Sequence, residues 1–380
     1  MSHTTLTSSA AFADTKPHYA ILDGLRGVAA LMVLIYHFIE AFATSPLDQR
    51  CNHGYLAVQF FFILSGFVIG YAYDDRWGRM STAEFFKRRL IRLHPMVFIG
   101  IVFGILSFLI QGSTQWDGTP ISLSWVLLAG LCTLFMIPAA PGNRIEIRGN
   151  GELFPLNGPY WSLFIEYIGN IIYALILRRL PRKALKYVVL LTGLGVAVYA
   201  IGNGSGYGHL GVGWTLANHY VAGGILCMMF CFSVGIWMSR VFKPLPVRGG
   251  FWICSLSLIV LVALPHWGTA DTPWINGIYD TLCVTLLFPV IVWTGASSLT
   301  SDSLSTRICK FCGDISYPVY VIHYPSMYLF YSWVWNNQIP FSQALPVGAG
   351  VILGNILLAY LLLKIYDEPV RKYLARKFLR

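Results

Sequence analysis

The stretch ILDGLRGVAALMVLIYHFIE, residues 21–40, has the length and apolar character of a membrane-spanning helix. Asp23, Arg26 and His37 stand out in it. At ~100° per residue the eleven positions from Arg26 to His37 make about three full turns, so both side chains lie on one face, roughly 16 Å apart. Asp23 shares that face and can pair with Arg26. Ionisable residues in a membrane are costly and usually functional, although a buried histidine can also simply hydrogen-bond a neighbour.

The composition extends this interpretation to the whole chain. Of the 380 residues, 56% are hydrophobic and 12% are charged, whereas soluble domains carry about 25% charged residues. The sequence therefore predicts an all-α, polytopic transmembrane bundle forming a single domain over residues 1–380. The net charge of +10 does not indicate nucleic-acid binding, because the positive residues cluster at helix ends, where they set orientation in the bilayer.

Eleven apolar segments can be read along the chain, at about 20–42, 54–73, 95–110, 121–139, 160–177, 184–201, 216–238, 251–264, 275–295, 315–335 and 346–366. Cytoplasmic loops gather Lys and Arg. The basic clusters at 76–92 and 178–186 are separated by three segments, but later clusters are separated by two. We therefore expect ten crossings, with 121–139 re-entrant or non-crossing, and both termini in the cytoplasm. The rival interpretation is eleven crossings with one cluster on the outer side.

The two ends and the cysteines add little chemistry. Residues 1–18 are polar and predict a flexible cytoplasmic tail, while residues 367–380 form a basic cytoplasmic tail. Cys309 and Cys312 make a CxxC, but no second pair or nearby histidine completes a zinc site. We therefore expect helix-end packing for these cysteines and no metal.

Two neighbouring motifs point to different chemistry. FFFILSGF places Ser65 and Gly66 inside the second span, where close helix packing is the favoured explanation and ligand contact is the alternative. FFKRRLIRLHP follows, with Arg88, Arg89 and Arg92 at the predicted cytoplasmic face. Guanidinium groups suit phosphate oxygens, so the motif favours a phosphorylated ligand from the cytosol. An ordinary positive-inside anchor is the alternative.

Two later motifs carry further polar residues into apolar spans. NGPYWSLFIEYIGN contains Ser162 and Glu166, and we expect Glu166 in the outer half of the membrane, paired with Arg26, His37 or a sugar hydroxyl, or else snorkelling. GDISYPVYVIHYP places three polar residues on one helical face and Tyr317 beside them. That face consists of Ser316, Tyr320 and His323. His323 would lie at a depth comparable to His37, and core hydrogen bonding is its alternative role.

Taken in order, these motifs resemble the acyltransferase 3 family of integral membrane O-acyltransferases. The matches are LDGLRGVAALMVLIYHF, FFILSGF, FFKRRLIRLHP, WSLFIE, ISYPVYVIH and the final EP, spread from residue 21 to residue 369. Each motif is weak alone, but the ordered set is specific. The resemblance implies transfer of an acyl group, usually acetyl, from acyl-CoA to a hydroxyl of a carbohydrate or similar acceptor, in a multi-pass protein of the bacterial inner (plasma) membrane.

The resemblance also assigns roles to particular residues. His37 matches the family's catalytic histidine, and Arg26 matches the arginine paired with it. Arg89 and Arg92 match the pair expected to hold the coenzyme, with Arg88 and Ser65 as added candidates, and Glu166 matches the glutamate of the WSL motif. Asp23, Ser162, Tyr317 and His323 are supporting candidates. Acyl-CoA is then a co-substrate, with no permanently bound cofactor.

This sequence departs from the family pattern in two places. Tyr167 stands where many members carry a second acidic residue, and no fused hydrolase-like domain follows the last span, which argues for action alone or with separate partners. A transporter or flippase that uses the buried Arg, His and Glu for proton coupling is the rival function, although no internal repeat supports it. A scaffolding role does not call for so many ionisable groups within the spans.

Overall fold

The computed structural model describes residues 18–245, 247–300 and 302–379, so most of the predicted tail at 1–18 lies outside the described residues. Within the described part the chain is helical, and its only β pairing is an isolated bridge. The helices are α1 Ala20–Glu40, α2 Ala57–Tyr73, α3 Thr82–Ile110, α4 Leu123–Leu134, α5 Tyr160–Leu175, α6 Arg182–Ile201, α7 Tyr220–Val241, α8 Gly250–Ala263, α9 Pro273–Leu282, α10 Phe288–Ser297, α11 Ser303–Asn336, α12 Phe341–Leu362 and α13 Glu368–Phe378.

Two of the predicted spans continue through a π turn. The turn Cys283–Leu287 joins α9 to α10, and the turn Leu363–Asp367 joins α12 to α13. Among the described residues, eight helices are long and apolar enough to cross a membrane. The prediction of an all-α membrane bundle is therefore confirmed, while the exact number of crossings stays a prediction.

The apolar segment predicted not to cross is short. Its helix, α4, has 12 residues and so extends only about 18 Å, less than the ~30 Å hydrocarbon core. α8, which we expected to cross, is also short, at 14 residues. Length alone therefore does not distinguish the two.

Several helix boundaries differ from the prediction. The third span was expected to begin near Pro95, but α3 begins at Thr82, where the Ser81 hydroxyl accepts a hydrogen bond from the Glu84 amide at 3.1 Å. Ser81 is thus an N-cap that satisfies an otherwise free donor. The helix then runs through Pro95, and the three arginines of the motif lie on its first turns.

α1 lies at the centre of the bundle. It packs along α11 and also contacts α8 and α2, while α2 packs along α7. Small residues allow the closest approaches: a Cβ added to Gly27 would lie 2.2 Å from the carbonyl oxygen of Cys312, and one added to Gly24 would lie 3.0 Å from Cys309. The CxxC cysteines thus pack at the interface of α1 with α11, as expected from the sequence.

Candidate active site

A cavity of about 510 Å³ lies where α1 and α11 begin. We call it the arginine cavity. Its wall brings together most of the predicted polar residues, although these come from five helices. The predicted residues on its wall are Asp23, Arg26, Ser65, Arg89, Arg92, Ser162, Glu166 and Tyr317.

Glu166 pairs with Arg89, which corrects the expected partners Arg26 and His37. Nη2 of Arg89 donates to Oε1 of Glu166 at 2.7 Å, and the Ser65 hydroxyl donates to the same oxygen at 3.2 Å. Glu166 was expected in the outer half, yet it lies with the arginines because α3 begins early enough to bring Arg89 beside α5. Nε of Arg89 is buried without a hydrogen-bond partner among the described residues, and it therefore remains able to donate to a ligand.

Two further ion pairs, one on α1 and one on α3, are local. Arg26 donates to Asp23 at 2.7 Å, as the spacing of three predicts. Arg88 donates instead to Glu84 at 2.7 Å, one helical turn earlier. Arg88 is not among the described residues that line the arginine cavity. The structure thus separates Arg88 from Arg89 and Arg92, although all three were expected to hold the same ligand.

A second cavity, of about 340 Å³, lies toward the other ends of α1 and α11. We call it the histidine cavity, since His37 is on its wall. Nδ1 of His37 lies 2.8 Å from Oε2 of Glu40, and the Tyr331 hydroxyl donates to that oxygen at 2.9 Å. Tyr331 also lies 2.7 Å from the backbone oxygen of His37. With Nδ1 engaged, Nε2 is the ring nitrogen left for chemistry.

His323 lies directly against His37, as their comparable predicted depths suggested. The two rings stack with centroids 5.5 Å apart. Nδ1 of His323 contacts the backbone oxygens of Val319 and Tyr320, so it carries the proton, and Nε2 is buried without a partner among the described residues. His323 is therefore a neutral imidazole packed beside His37, and it is not on the described wall of either cavity.

The two cavities meet at a thin partition. Val58 and Tyr320 line both of them. The Tyr320 hydroxyl bonds to the Ser162 hydroxyl at 2.6 Å, and Ser162 donates to the backbone oxygen of Pro159 at 2.9 Å. Tyr317 donates to the backbone oxygen of Leu93 at 2.6 Å. The predicted polar residues of α5 and α11 thus hold the partition in place.

Sequence reasoning missed two residues, Glu40 and Glu152, and noted Tyr167 without anticipating its contact. Glu40 follows His37 by three positions, the same spacing that singled out Asp23 and Arg26, so its contact was readable. Glu152 lies in a Gly- and Pro-rich loop with no pattern to single it out, yet it lines the histidine cavity. Tyr167, which replaces the usual acidic residue, is 3.0 Å from Nδ1 of His94. Nε2 of His94 meets the backbone oxygen of Leu134 at 2.7 Å, so Tyr167 is the donor to Nδ1.

The chain can now be compared with known proteins. Residues 19–364 match the family described as "Acyltransferase domain", and the chain belongs to the acyltransferase 3 family. It is 32% identical over 194 residues to "Protein 2 in picA locus" of Rhizobium radiobacter, and the matched region covers 48% of this chain and 93% of that protein. It is 25% identical over 376 residues to O-acetyltransferase OatA of Staphylococcus aureus, which covers 92% of this chain and 57% of OatA.

The chain thus spans little more than half the length of OatA. No solved structure matches the chain. Family membership and the apolar helices together make it an integral membrane protein and an acyltransferase. This finding favours the enzymatic hypothesis over transport.

Proposed function

We propose that the protein is a membrane O-acyltransferase that moves an acyl group, acetyl in the first instance, from cytosolic acyl-CoA to a hydroxyl of a carbohydrate or similar acceptor. The observation that carries the proposal is the pair of cavities that share Val58 and Tyr320 in their linings. One wall is rich in arginine, and the other carries a histidine held by a carboxylate. The resemblance of the chain to OatA, which is named an O-acetyltransferase, supports the acetyl group.

The arginine cavity is the proposed donor site. Arg26, Arg89 and Arg92 offer guanidinium groups to the phosphates of coenzyme A. Its lining comes from the basic ends of the helices, which the positive-inside rule assigns to the cytoplasm. We therefore propose both termini in the cytoplasm of a bacterial inner membrane. The thin pantetheine arm then passes Val58 and Tyr320 and brings the thioester to His37.

The chemistry follows from the hydrogen bonds of His37. Nε2 accepts the proton of the acceptor hydroxyl while the hydroxyl oxygen attacks the thioester carbonyl carbon. The carbon–sulfur bond then breaks, and the coenzyme A thiolate takes the proton, so the products are an ester and free coenzyme A. Glu40 stabilises the imidazolium that forms, because its carboxylate lies 2.8 Å from Nδ1. Arg26 orients the donor, and Asp23 orients Arg26 at 2.7 Å.

The test is turnover of labelled acetyl-CoA by membranes containing the wild-type protein or His37→Ala. We expect the variant to lose about 100-fold or more of the activity, the usual contribution of a general base. Undiminished turnover would exclude His37 as the catalytic residue. His266→Ala is the matched control: His266 is half-buried and lies outside both cavity linings of the described residues, so activity should be kept. The side of the membrane on which the labelled product appears tests the orientation.

A further inference from the structure

The walls of the two cavities differ in charge. Among the described residues, the histidine cavity is lined by two carboxylates, those of Glu40 and Glu152, and by no Lys or Arg. The arginine cavity, by contrast, has four arginines and a lysine on its described wall, beside five carboxylates. A ligand carrying a carboxylate or phosphate in the histidine cavity would face like charge with no cation on the wall to offset it, and such juxtaposition is strongly unfavourable.

Aromatic residues are the largest group in the rest of the wall of the histidine cavity. Four tryptophans line it together with six tyrosines. The tryptophans are Trp116, Trp161, Trp214 and Trp335. Aromatic rings offer flat apolar faces, against which the C–H faces of a sugar ring can pack, while the hydroxyl groups at its edge need hydrogen-bond acceptors. A pocket with aromatic walls and few polar groups fixes its ligand through those polar groups.

Glu152 is the buried polar group best placed to do this. It is only 6% exposed, and the Tyr328 hydroxyl donates to its Oε2. The Gly158 amide donates to the same tyrosine oxygen at 3.1 Å, which directs the hydroxyl hydrogen toward Glu152. A carboxylate has about four lone-pair sites, so Glu152 can still accept hydrogen bonds from a ligand.

The charge that balances Glu152 lies behind the wall. The guanidinium carbon of Arg148 is 3.3 Å from the centroid of the Tyr328 ring. Its Nε donates to the backbone oxygen of Pro155 at 2.6 Å and its Nη1 donates to Gln111 at 2.7 Å. Arg148 is not among the described lining residues, so it steadies Tyr328 without presenting a cation to a ligand.

We propose that the histidine cavity selects an acceptor whose contact surface is an uncharged, sugar-like polyol. Glu152 is the specificity-determining residue: it accepts a hydrogen bond from an acceptor hydroxyl and disfavours anionic acceptors. This inference deepens the proposed function and rests on it for the reaction. It concerns binding, however, and can be tested without any acyl donor.

The experiment compares methyl β-glucoside with methyl β-glucuronide, in which a carboxylate replaces the hydroxymethyl group of the sugar ring. Binding to the wild-type protein in detergent micelles, without acyl-CoA, is followed by tryptophan fluorescence. Burial raises the pKa of Glu152 to about 7, so pH 8 keeps its carboxylate charged. We expect the glucoside to bind about tenfold or more tightly than the glucuronide, since the like charge is removed. In Glu152→Gln we expect the ratio of the two affinities to fall to about one third of its wild-type value or lower.

Glu146→Gln is the control. Glu146 is a buried carboxylate of the same loop that accepts a hydrogen bond from the Gly149 amide at 3.0 Å, and it lies outside the described cavity lining. It should leave the ratio unchanged. Equal or tighter binding of the glucuronide, equal effects of the two variants, or binding of neither sugar overturns the proposal. Selective binding without any acyl transfer would instead overturn the proposed function and leave this inference standing.

Discussion

At the scale of single residues, the contact between His37 and Glu40 decides which ring nitrogen of the histidine is left to act, because Glu40 engages Nδ1. Glu40 lies 2.8 Å from Nδ1, as a carboxylate does in known catalytic histidine pairs. Glu40→Gln keeps the shape but removes the charge that stabilises the imidazolium. We therefore expect kcat for acetyl transfer to fall roughly 10- to 1,000-fold, with KM for acetyl-CoA little changed.

Initial rates over a range of acetyl-CoA concentrations separate the two constants. Glu84→Gln, which removes the carboxylate that accepts from Arg88 and lies outside both described cavity linings, is the matched control and should keep kcat. If Glu40→Gln has the kcat of the wild type, Glu40 does not assist His37.

The neighbouring residues Arg88 and Arg89 provide a second comparison, because Arg89 is among the described residues that line the arginine cavity and Arg88 is not. Arg89→Gln removes a guanidinium that lines the arginine cavity, so KM for acetyl-CoA should rise about tenfold or more. Arg88→Gln should change KM by less than about twofold, because Arg88 lies outside the described lining of that cavity and its local helix pair with Glu84 contributes little. Equal effects of the two substitutions would contradict the proposed donor site.

Loss of Arg89 also leaves the partly buried carboxylate of Glu166 without its guanidinium partner, which should lower the stability of the fold. The double variant Arg89→Gln/Glu166→Gln removes both charges and should restore thermal stability without restoring KM. That result separates the role of Arg89 in binding from its role in folding.

Which contacts could be predicted from the sequence at this scale depended on how far apart the two residues lie in the chain. The pairing of Asp23 with Arg26 follows from the helical period. The comparable depths of His323 and His37 could also be estimated from the sequence, but the stacking of their rings could not. The pairing of Glu166 with Arg89 joins residues 77 positions apart. Helical spacing carries no information about which helices become neighbours, so Arg89 was not among the predicted partners of Glu166.

At the scale of helices, α2 and α7 cross where two glycines face each other. A Cβ added to Gly66 would lie 2.4 Å from the backbone oxygen of Phe232, and one added to Gly235 would lie 2.3 Å from that of Ile63. The packing interpretation of the SGF motif is thus supported. Gly66→Ala must push the helices apart, and we expect an unfolding free energy lower by about 1–3 kcal/mol.

Thermal unfolding in detergent, followed by circular dichroism, measures the effect of Gly66→Ala. Gly354→Ala is the control, because nothing lies within 4 Å of its added Cβ, and alanine is the better helix former. A midpoint for Gly66→Ala equal to that of the control would show that the crossing tolerates a methyl group.

The loop between α6 and α7 should make stability depend on pH. His209 is buried there, and its Nδ1 accepts a hydrogen bond from the Gly211 amide at 2.9 Å. Burial, with His266 and His53 nearby, lowers the pKa of His209 to about 3. The unfolded chain therefore binds the proton first, near pH 6.5, and His209 should cost stability progressively as the pH falls from about 6.5 to 3.

His209→Asn offers an amide oxygen to Gly211 but does not titrate. We expect the difference in unfolding midpoint between pH 7.5 and pH 5 to be smaller in this variant than in the wild type. An unchanged difference would mean that other groups dominate the acid sensitivity. Measuring both proteins in the same detergent removes the effect of pH on the micelle.

Apolar length predicted the existence of the helices well but their ends poorly. α3 begins about a dozen residues before the expected start of the third span, and α13 makes the predicted basic tail helical. Hydropathy detects the part of a helix that lies in lipid. Charged turns that extend beyond the lipid leave no hydropathy signal, although they carry Arg89 and Arg92.

At the scale of the whole molecule, the partition between the cavities should be the narrowest point of the proposed reaction path. Val58 is almost fully buried, and its side chain lines both cavities. Val58→Trp should fill the connection and lower acetyl transfer by about 100-fold or more, because small misplacements of reacting groups are costly.

Binding of 3′-phosphoadenosine diphosphate, which lacks the pantetheine arm, should stay within about twofold of the wild type, since the arginines are untouched. Val347→Trp is the control: Val347 is 45% exposed on α12. Full activity of Val58→Trp would exclude a path through the partition.

The class of the whole molecule was the most predictable feature, since composition alone indicates a membrane bundle and the ordered motifs indicate the family. The cavities themselves were not predictable, because their walls are assembled from helices far apart in sequence. In a membrane that holds an electrical potential, the proposed path also calls for an electrical barrier at Val58 and Tyr320, and we expect a small residue at either position to let ions leak.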